Sequence, residues 1–326
     1  MSTRSNRLLS VLCTLFSGCL LAQAVNAEVG IDVEYAEQQP LATESMLLDI
    51  ARSGNTLVAV GERGHIVIST DGQTWTQAEH VPTRSTLTTV FSVGKRLWAA
   101  GHDAVILTSG DSGKTWTREY FDPDRGQAVM DIYFTDKNNG VAIGSYALFM
   151  RTSDGGQTWV DEMVDEESDY HLNSLLDFGD GKWLIAGEAG LSYRSYDSGV
   201  TWMALDMPYP GSMWGALKTG DECALFYGLR GHVMETCDFG TSWTEVETGS
   251  ESSISGAANY EDLVVLAANS GIVLTRDDSG QFSTYHHSSG VDFSAALSMG
   301  DGLFLLVGED GVHQYPETSS KGNRDD

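Results

Sequence analysis

Few side chains in this sequence stand at spacings that chemistry would need. Gly110-Asp111-Ser112-Gly113 reproduces the short motif around trypsin-like serine nucleophiles, but such a hydroxyl also needs a positioned base, and each of these residues fits a recurring turn instead. The eight histidines, at 65, 80, 102, 171, 232, 286, 287 and 313, show neither an H-E-x-x-H pair nor Cys/His ligand spacing. No metal and no cofactor is therefore expected. The acidic run Asp161 to Asp169 lacks the oxygen register of a calcium loop and reads as a solvated loop. Glycoside hydrolysis of the sialidase kind would need an arginine cluster for a substrate carboxylate, a tyrosine nucleophile with a glutamate partner, and an acid aspartate. Arg151 and Arg194 precede successive turns at equivalent positions and read as features of a repeat.

The repeat is the main signal. A small-residue triplet recurs at Ala59-Val60-Gly61, Ala99-Ala100-Gly101, Ala142-Ile143-Gly144, Ile185-Ala186-Gly187, Phe226-Tyr227-Gly228, Leu266-Ala267-Ala268 and Leu306-Val307-Gly308. Steps between the third members are 40, 43, 43, 41, 40 and 40 residues. Trp75, Trp116, Trp159, Trp202, Trp243 and Phe282 keep the same phase. A period near forty with short β-rich runs is one propeller blade of four strands, so the expected fold is all-β, a seven-bladed β-propeller. Strands two and three of each unit are apolar on both faces, as a sheet sandwiched between neighbours requires.

Each tryptophan closes an Asp box, S/T-x-D-x-G-x-T/S-W, with Asp71, Asp111, Asp154, Asp197 and Asp238 as its aspartates and Asp278 in a degenerate sixth copy. Their expected role is structural. The carboxylate accepts backbone N–H groups of its own loop, the glycine supplies a permissive φ, and the tryptophan packs on the neighbouring element. The seventh unit offers three strands, Phe293 to Met299, Leu303 to Gly308 and Val312 to Tyr315. Val33 to Pro40 aligns without gaps on Trp75 to Pro82, the outer strand of the first blade. Residues 31–40 are thus expected to close the ring as an N-terminal strand joining the last blade. Cys223 and Cys237 flank the Leu229-Arg230-Gly231 loop; with Gly231 left-handed, they face one another at disulfide distance, whereas a two-residue turn would put them out of line.

Arg4 and Arg7, the apolar run Leu8 to Leu21 and the small residues of Val25-Asn26-Ala27 make residues 1–27 a signal peptide. A rival reading takes Phe16-Ser17-Gly18-Cys19 as a lipobox, with lipidation at Cys19. The domain reading is 1–27 signal peptide, 28–316 propeller and 317–326 disordered polar tail, with a periplasmic location. Loss of residues 1–27 leaves 17 basic against 46 acidic side chains, a formal charge of −29. Such a surface repels phosphate backbones and anionic headgroups, which excludes nucleic acid as a partner and favours basic ones. No segment of the mature chain is expected to insert into a membrane.

Asp131-Ile132-Tyr133-Phe134, Gly140-Val141-Ala142-Ile143-Gly144 and Thr152-Ser153-Asp154-Gly155-Gly156-Gln157-Thr158-Trp159 resemble the repeat of the photosystem II stability and assembly factor family. The resemblance runs from about residue 31 to 316 and implies a non-enzymatic, extracytoplasmic scaffold acting on an integral membrane protein complex. Photosynthetic members of that family hold their client with an arginine-rich patch. This chain is acidic, with 11 mature arginines scattered along it, so photosystem binding is not carried over, and the implied partner is another membrane assembly, for example a transporter. A carbohydrate-binding propeller and a sialidase-like glycoside hydrolase remain the alternatives.

Propeller binding sites favour the face carrying the interblade loops and the hairpins between strands two and three. That face is expected to present Arg63, His102, Tyr146 and Arg230 from hairpins, and Tyr170, His171, Tyr209, Met213 and Trp214 from interblade loops. The loop around Tyr209, Met213 and Trp214 is the most apolar, and aromatic residues and Met are enriched at interfaces. The alternative for Trp214 is a place in the channel wall.

Overall fold

A computed structural model describes residues 33–317; the segment expected to be a signal peptide, with Cys19, and the tail beyond Glu317 lie outside the described residues. Seven antiparallel sheets follow one another along the described chain, six of four strands and the last of three, all joined in sequence order. The chain is a seven-bladed β-propeller. Blade one shows the pattern, with an inner strand Leu47–Ser53, a second strand Thr56–Gly61, a third Ile66–Ser69 and a short outer strand Thr76–Gln77. The second strands Gly140–Gly144, Trp183–Gly187 and Ala224–Gly228 are buried at every residue, since both faces of a blade are covered by its neighbours.

Blade-to-blade packing supplies the core. Trp98 of blade two is fully buried and stacks on Phe134 of blade three with ring centroids 3.7 Å apart. Trp116, Trp159, Trp202 and Trp243 each join a cluster between blades. On one face of the ring lie the aspartate turns. Ser195 Oγ and Asp197 divide the work in the fourth: the serine oxygen accepts the Gly199 amide at 2.8 Å, and the carboxylate accepts the Thr201 amide at 2.8 Å and the Thr201 hydroxyl at 2.6 Å. Gly199 has φ +77°, and a Cβ there would meet Trp183 at 2.9 Å, so this turn admits no side chain. In the sixth repeat the reading needs correction. Asp277, not Asp278, accepts the turn amide, from Ser279 at 2.9 Å, because the degenerate copy has slipped by one residue.

The expected closure by an N-terminal strand joining the last blade is also corrected. Blade seven comprises Phe293–Gly300, Leu303–Gly308 and Gly311–Tyr315. The segment before Pro40 lies instead against the outer strand of blade one. The Ala36 amide donates to Val81 O at 2.9 Å, and Gln38 Nε2 donates to Ala78 O at 2.9 Å. Ala36 then enters the apolar cluster between blades one and two. The segment thus sits beside the sequence it resembles, and burial of Ala36 holds it there. Blades one and seven meet through side chains: Leu47, Ile50, Leu57, Ala59 and Val67 pack on Leu305 and Val307.

In blade five, Ala224 pairs with Thr236, which sets Cys223 opposite Cys237; the two are disulfide-bonded with Cα atoms 3.9 Å apart. The intervening loop is a three-residue hairpin in which Arg230 and Gly231 are both left-handed. A Cβ at Gly231 would lie 2.0 Å from Ser250 O, so glycine lets the hairpin touch the following interblade loop.

Candidate functional site

The hairpins between second and third strands share the face opposite the aspartate turns, and they hold several of the expected binding residues at their tips. Arg63, Tyr146 and Arg230 occupy equivalent left-handed positions in blades one, three and five, and His102 opens the hairpin of blade two. These tips belong to different blades and stay spread around the rim. Two expected residues do meet: Tyr146, 60% exposed, lies edge-on to His171 with ring centroids 5.1 Å apart. The His171 amide donates to Glu188 Oε2 at 3.2 Å, and Tyr170 stands exposed in the same loop. Tyr209 is half-buried and stacks on His232 at 4.0 Å, so its ring is engaged within the fold.

Met213 is corrected. It is 1% exposed and packs with Leu184, Ala186 and Phe226 between blades, so it presents nothing to a partner. A bulge explains the difference. The inner strand of blade five shifts register between Met213 and Gly215, turning Met213 into the core and Trp214 toward the central channel, where it remains 38% exposed. Trp214 is therefore part of the channel wall as well as an exposed aromatic on this face.

Inner strands of all seven blades shift register near their starts, and the residues at those bulges ring the channel mouth. Leu48, Thr88, Met130, Asn173, Trp214, Ser255 and Ser294 line a cavity of about 180 Å³ there. Sequence reasoning missed the two carboxylates beneath them. Asp49 Oδ1 accepts the Ile50 amide and Oδ2 accepts the Val90 amide of the next blade, both at 2.8 Å. Asp131 repeats this in blade three, taking the amides of Ile132 and of Leu175 in blade four, both at 2.8 Å. Thr88 Oγ1 and Asn173 Nδ2 make the other ties, to Val129 O at 2.5 Å and Met213 O at 2.8 Å.

Both carboxylates are surrounded by protein at depth while their oxygens reach the channel lumen. Burial pushes Asp49 up to about 7 and Asp131 up to about 6, against the opposing pull of the backbone amides they accept. Tyr227, 6% exposed, reaches the same lumen over Gly215, where a Cβ would lie 2.4 Å from its hydroxyl. Burial, reinforced by the charges of Asp131 and Asp49, pushes its phenol upward, so it stays a neutral hydroxyl. The available signal was that Asp49 and Asp131 each precede an isoleucine at the matching place in their blades.

The groups that suggested chemistry have structural partners. Ser112 lies within its turn, its hydroxyl 3.3 Å from that of Ser53. Arg151 Nη2 donates to Gly199 O at 3.0 Å and Arg194 Nη1 to Thr241 Oγ1 at 2.9 Å, each gripping the aspartate turn of the next blade. Arg96 does the same to Gly155 O at 2.8 Å. Among the described residues no group of three or more His, Cys, Asp or Glu side chains has the arrangement to hold a metal ion, and no helix is long and apolar enough to cross a membrane.

Known proteins share this architecture. A YCF48 bound to a D1 peptide matches with TM-score 0.68 and 17% identity, covering 87% of this chain and 98% of that one. YCF48 from Cyanidioschyzon merolae matches with TM-score 0.68 and 18% identity over 86% of this chain and 97% of the other. The WD40 β-propeller domain of Doa1 reaches the same TM-score of 0.68 at 13% identity, covering 88% of this chain and 97% of its own, so these likenesses speak for the fold. Comparison with curated proteins gives no match. The sequence itself matches the family model described as photosynthesis system II assembly factor YCF48 over residues 120–301. With more than half of the chain covered, from the end of the outer strand of blade two to the first turn of blade seven, the protein belongs to the YCF48 family of assembly-factor propellers.

Proposed function

We propose that this protein is a non-catalytic, extracytoplasmic scaffold that binds an integral membrane protein complex, such as a transporter, and assists its assembly or activity. The observation that carries the reading is the division of labour between the two faces, taken with family membership. On one face, aspartates and arginines are consumed in turn formation and blade-to-blade ties. On the other, Tyr146, Tyr170 and Trp214 stand exposed, Trp214 at the channel mouth and Tyr146 edge-on to His171. Aromatic residues exposed beside polar rims are what interfaces use. The charge of −27 favours a client with a basic patch over one that displays anionic lipid or nucleic acid. The N-terminal segment 1–27, read as a signal peptide, supports placement in the periplasm.

Affinity capture from detergent-solubilised membranes tests the reading. One dominant membrane client is expected, with recovery falling about tenfold or more for Trp214→Ala combined with Arg230→Glu, the loss of one interface anchor. Unchanged recovery by that double variant rejects the face; absence of any client rejects the scaffold.

A further inference from the structure

We propose that the channel mouth on the hairpin face is a receptor for one basic side chain, an arginine or lysine of the protein partner, which enters among Asp49, Asp131, Tyr227 and Trp214. The inference rests on the scaffold reading above and specifies its chemistry. Two carboxylates line one small cavity, and among the described residues neither forms an ion pair with a lysine or arginine. Asp49 accepts two backbone amides and the Thr89 hydroxyl, and Asp131 two amides and the Ser174 hydroxyl, which leaves each carboxylate about one of its four lone-pair sites for a further donor. An incoming cation would find the acceptors in place and the backbone already ordered around them.

Tyr227 is the second, independent observation. Its ring is buried, its hydroxyl projects into the lumen over Gly215, and no protein group hydrogen-bonds that hydroxyl among the described residues. The ring is held by its burial while the hydroxyl stays accessible from the lumen, so an entering N–H donor can reach it. Here it faces the space between two carboxylates, as an acceptor for an N–H donor. Trp214 adds an exposed indole to the same wall, and an aromatic face attracts a cation.

Size and geometry select the occupant. A cavity of about 180 Å³ takes one long side chain and excludes a folded segment. The carboxylates come from blades one and three, each tied by a backbone amide to the blade that follows it, and among the described residues no third His, Cys, Asp or Glu joins them in an arrangement that could hold a metal ion. A guanidinium spreads five donors over a plane and suits separated acceptors, with lysine as the shorter-reaching substitute. The acidic surface would bring such a residue toward the mouth.

Calorimetric titration of the purified protein with N-acetyl-arginine amide tests this, with N-acetyl-citrulline amide as the neutral isostere. Saturable binding is expected for the first, and binding at least about tenfold weaker for the second, since a charge is the difference. Asp131→Asn should weaken arginine-amide binding about tenfold, and Tyr227→Phe and Trp214→Leu severalfold. Trp214→Leu, at a partly exposed position, keeps the test decisive should Asp131→Asn not fold. Equal binding of citrulline amide, no saturable binding of arginine amide, or indifference to Trp214→Leu overturns the proposal. So does Asp131-dependent binding of calcium in place of arginine amide. Capture of the membrane client without arginine-amide binding fails this inference alone; arginine-amide binding without any client fails the scaffold reading.

Discussion

Asp154 shows what one carboxylate does in each turn. It accepts the Thr158 hydroxyl at 2.6 Å and the Thr158 amide at 2.9 Å, and these bonds hold it at about 2. Asp197 and Asp238 are held at about 2 by the same pair of bonds, and Asp71 by the Thr74 and Gln73 amides. The folded-state value lies below the ordinary 3.8, so the stability each contributes is fully present above that pH and is lost as pH falls toward about 2. Asp154→Ala should therefore lower the urea midpoint at about pH 6, and the gap from wild type should narrow progressively as pH falls from about 4 toward 2. A gap of constant size across that range would reject the carboxylate as its source. Five of the six box aspartates were legible because turn chemistry is written in local spacing. The sixth was misplaced by one because Asp277-Asp278-Ser279 offers two candidates and only the backbone path chooses between them.

At the scale of the strand, the bulges decide what the channel contains. Strands and hairpins were readable from the apolar runs and their glycine punctuation, but a bulge reverses inside and outside after it. Met213 is therefore expected at the surface and found in the core, and Asp49 and Asp131, each just past a bulge, line a lumen that the sequence pattern does not disclose. The titration of these carboxylates has a sign opposite to that of the turns. Asp131 is pushed up to about 6 and Asp49 to about 7, so between about pH 4 and those values the folded protein holds protons that the unfolded chain has released. Their contribution is fully present below the ordinary carboxylate value and declines as pH rises through about 6 to 7. Asp131→Asn should lower stability overall, because its amide turns a donor toward the Leu175 N–H, while flattening the fall of the urea midpoint between about pH 4 and 7. An unchanged pH slope would rule Asp131 out as a contributor.

For the whole ring, blade number and order followed from the period alone, whereas closure did not. A segment that matches an outer strand can lie beside either end of the ring, and the choice was made by Ala36 finding the cluster between blades one and two. Closure then depends on apolar contact between blades one and seven. Leu305→Ala, at a site 3% exposed, should cost about 2–5 kcal/mol. Removing residues 28–35, which spares Ala36, should shift the thermal midpoint far less. Equal losses in the two melting curves would restore the N-terminal segment as the clasp. Because every described blade is woven from one unbroken stretch of chain, the seven are interchangeable as starting points. New ends could be cut between any two blades and the old ones spliced, giving a circular permutant with the same ring, while the junction of blades one and seven, unlike a ring stitched from both ends of the chain, can part without unravelling a sheet.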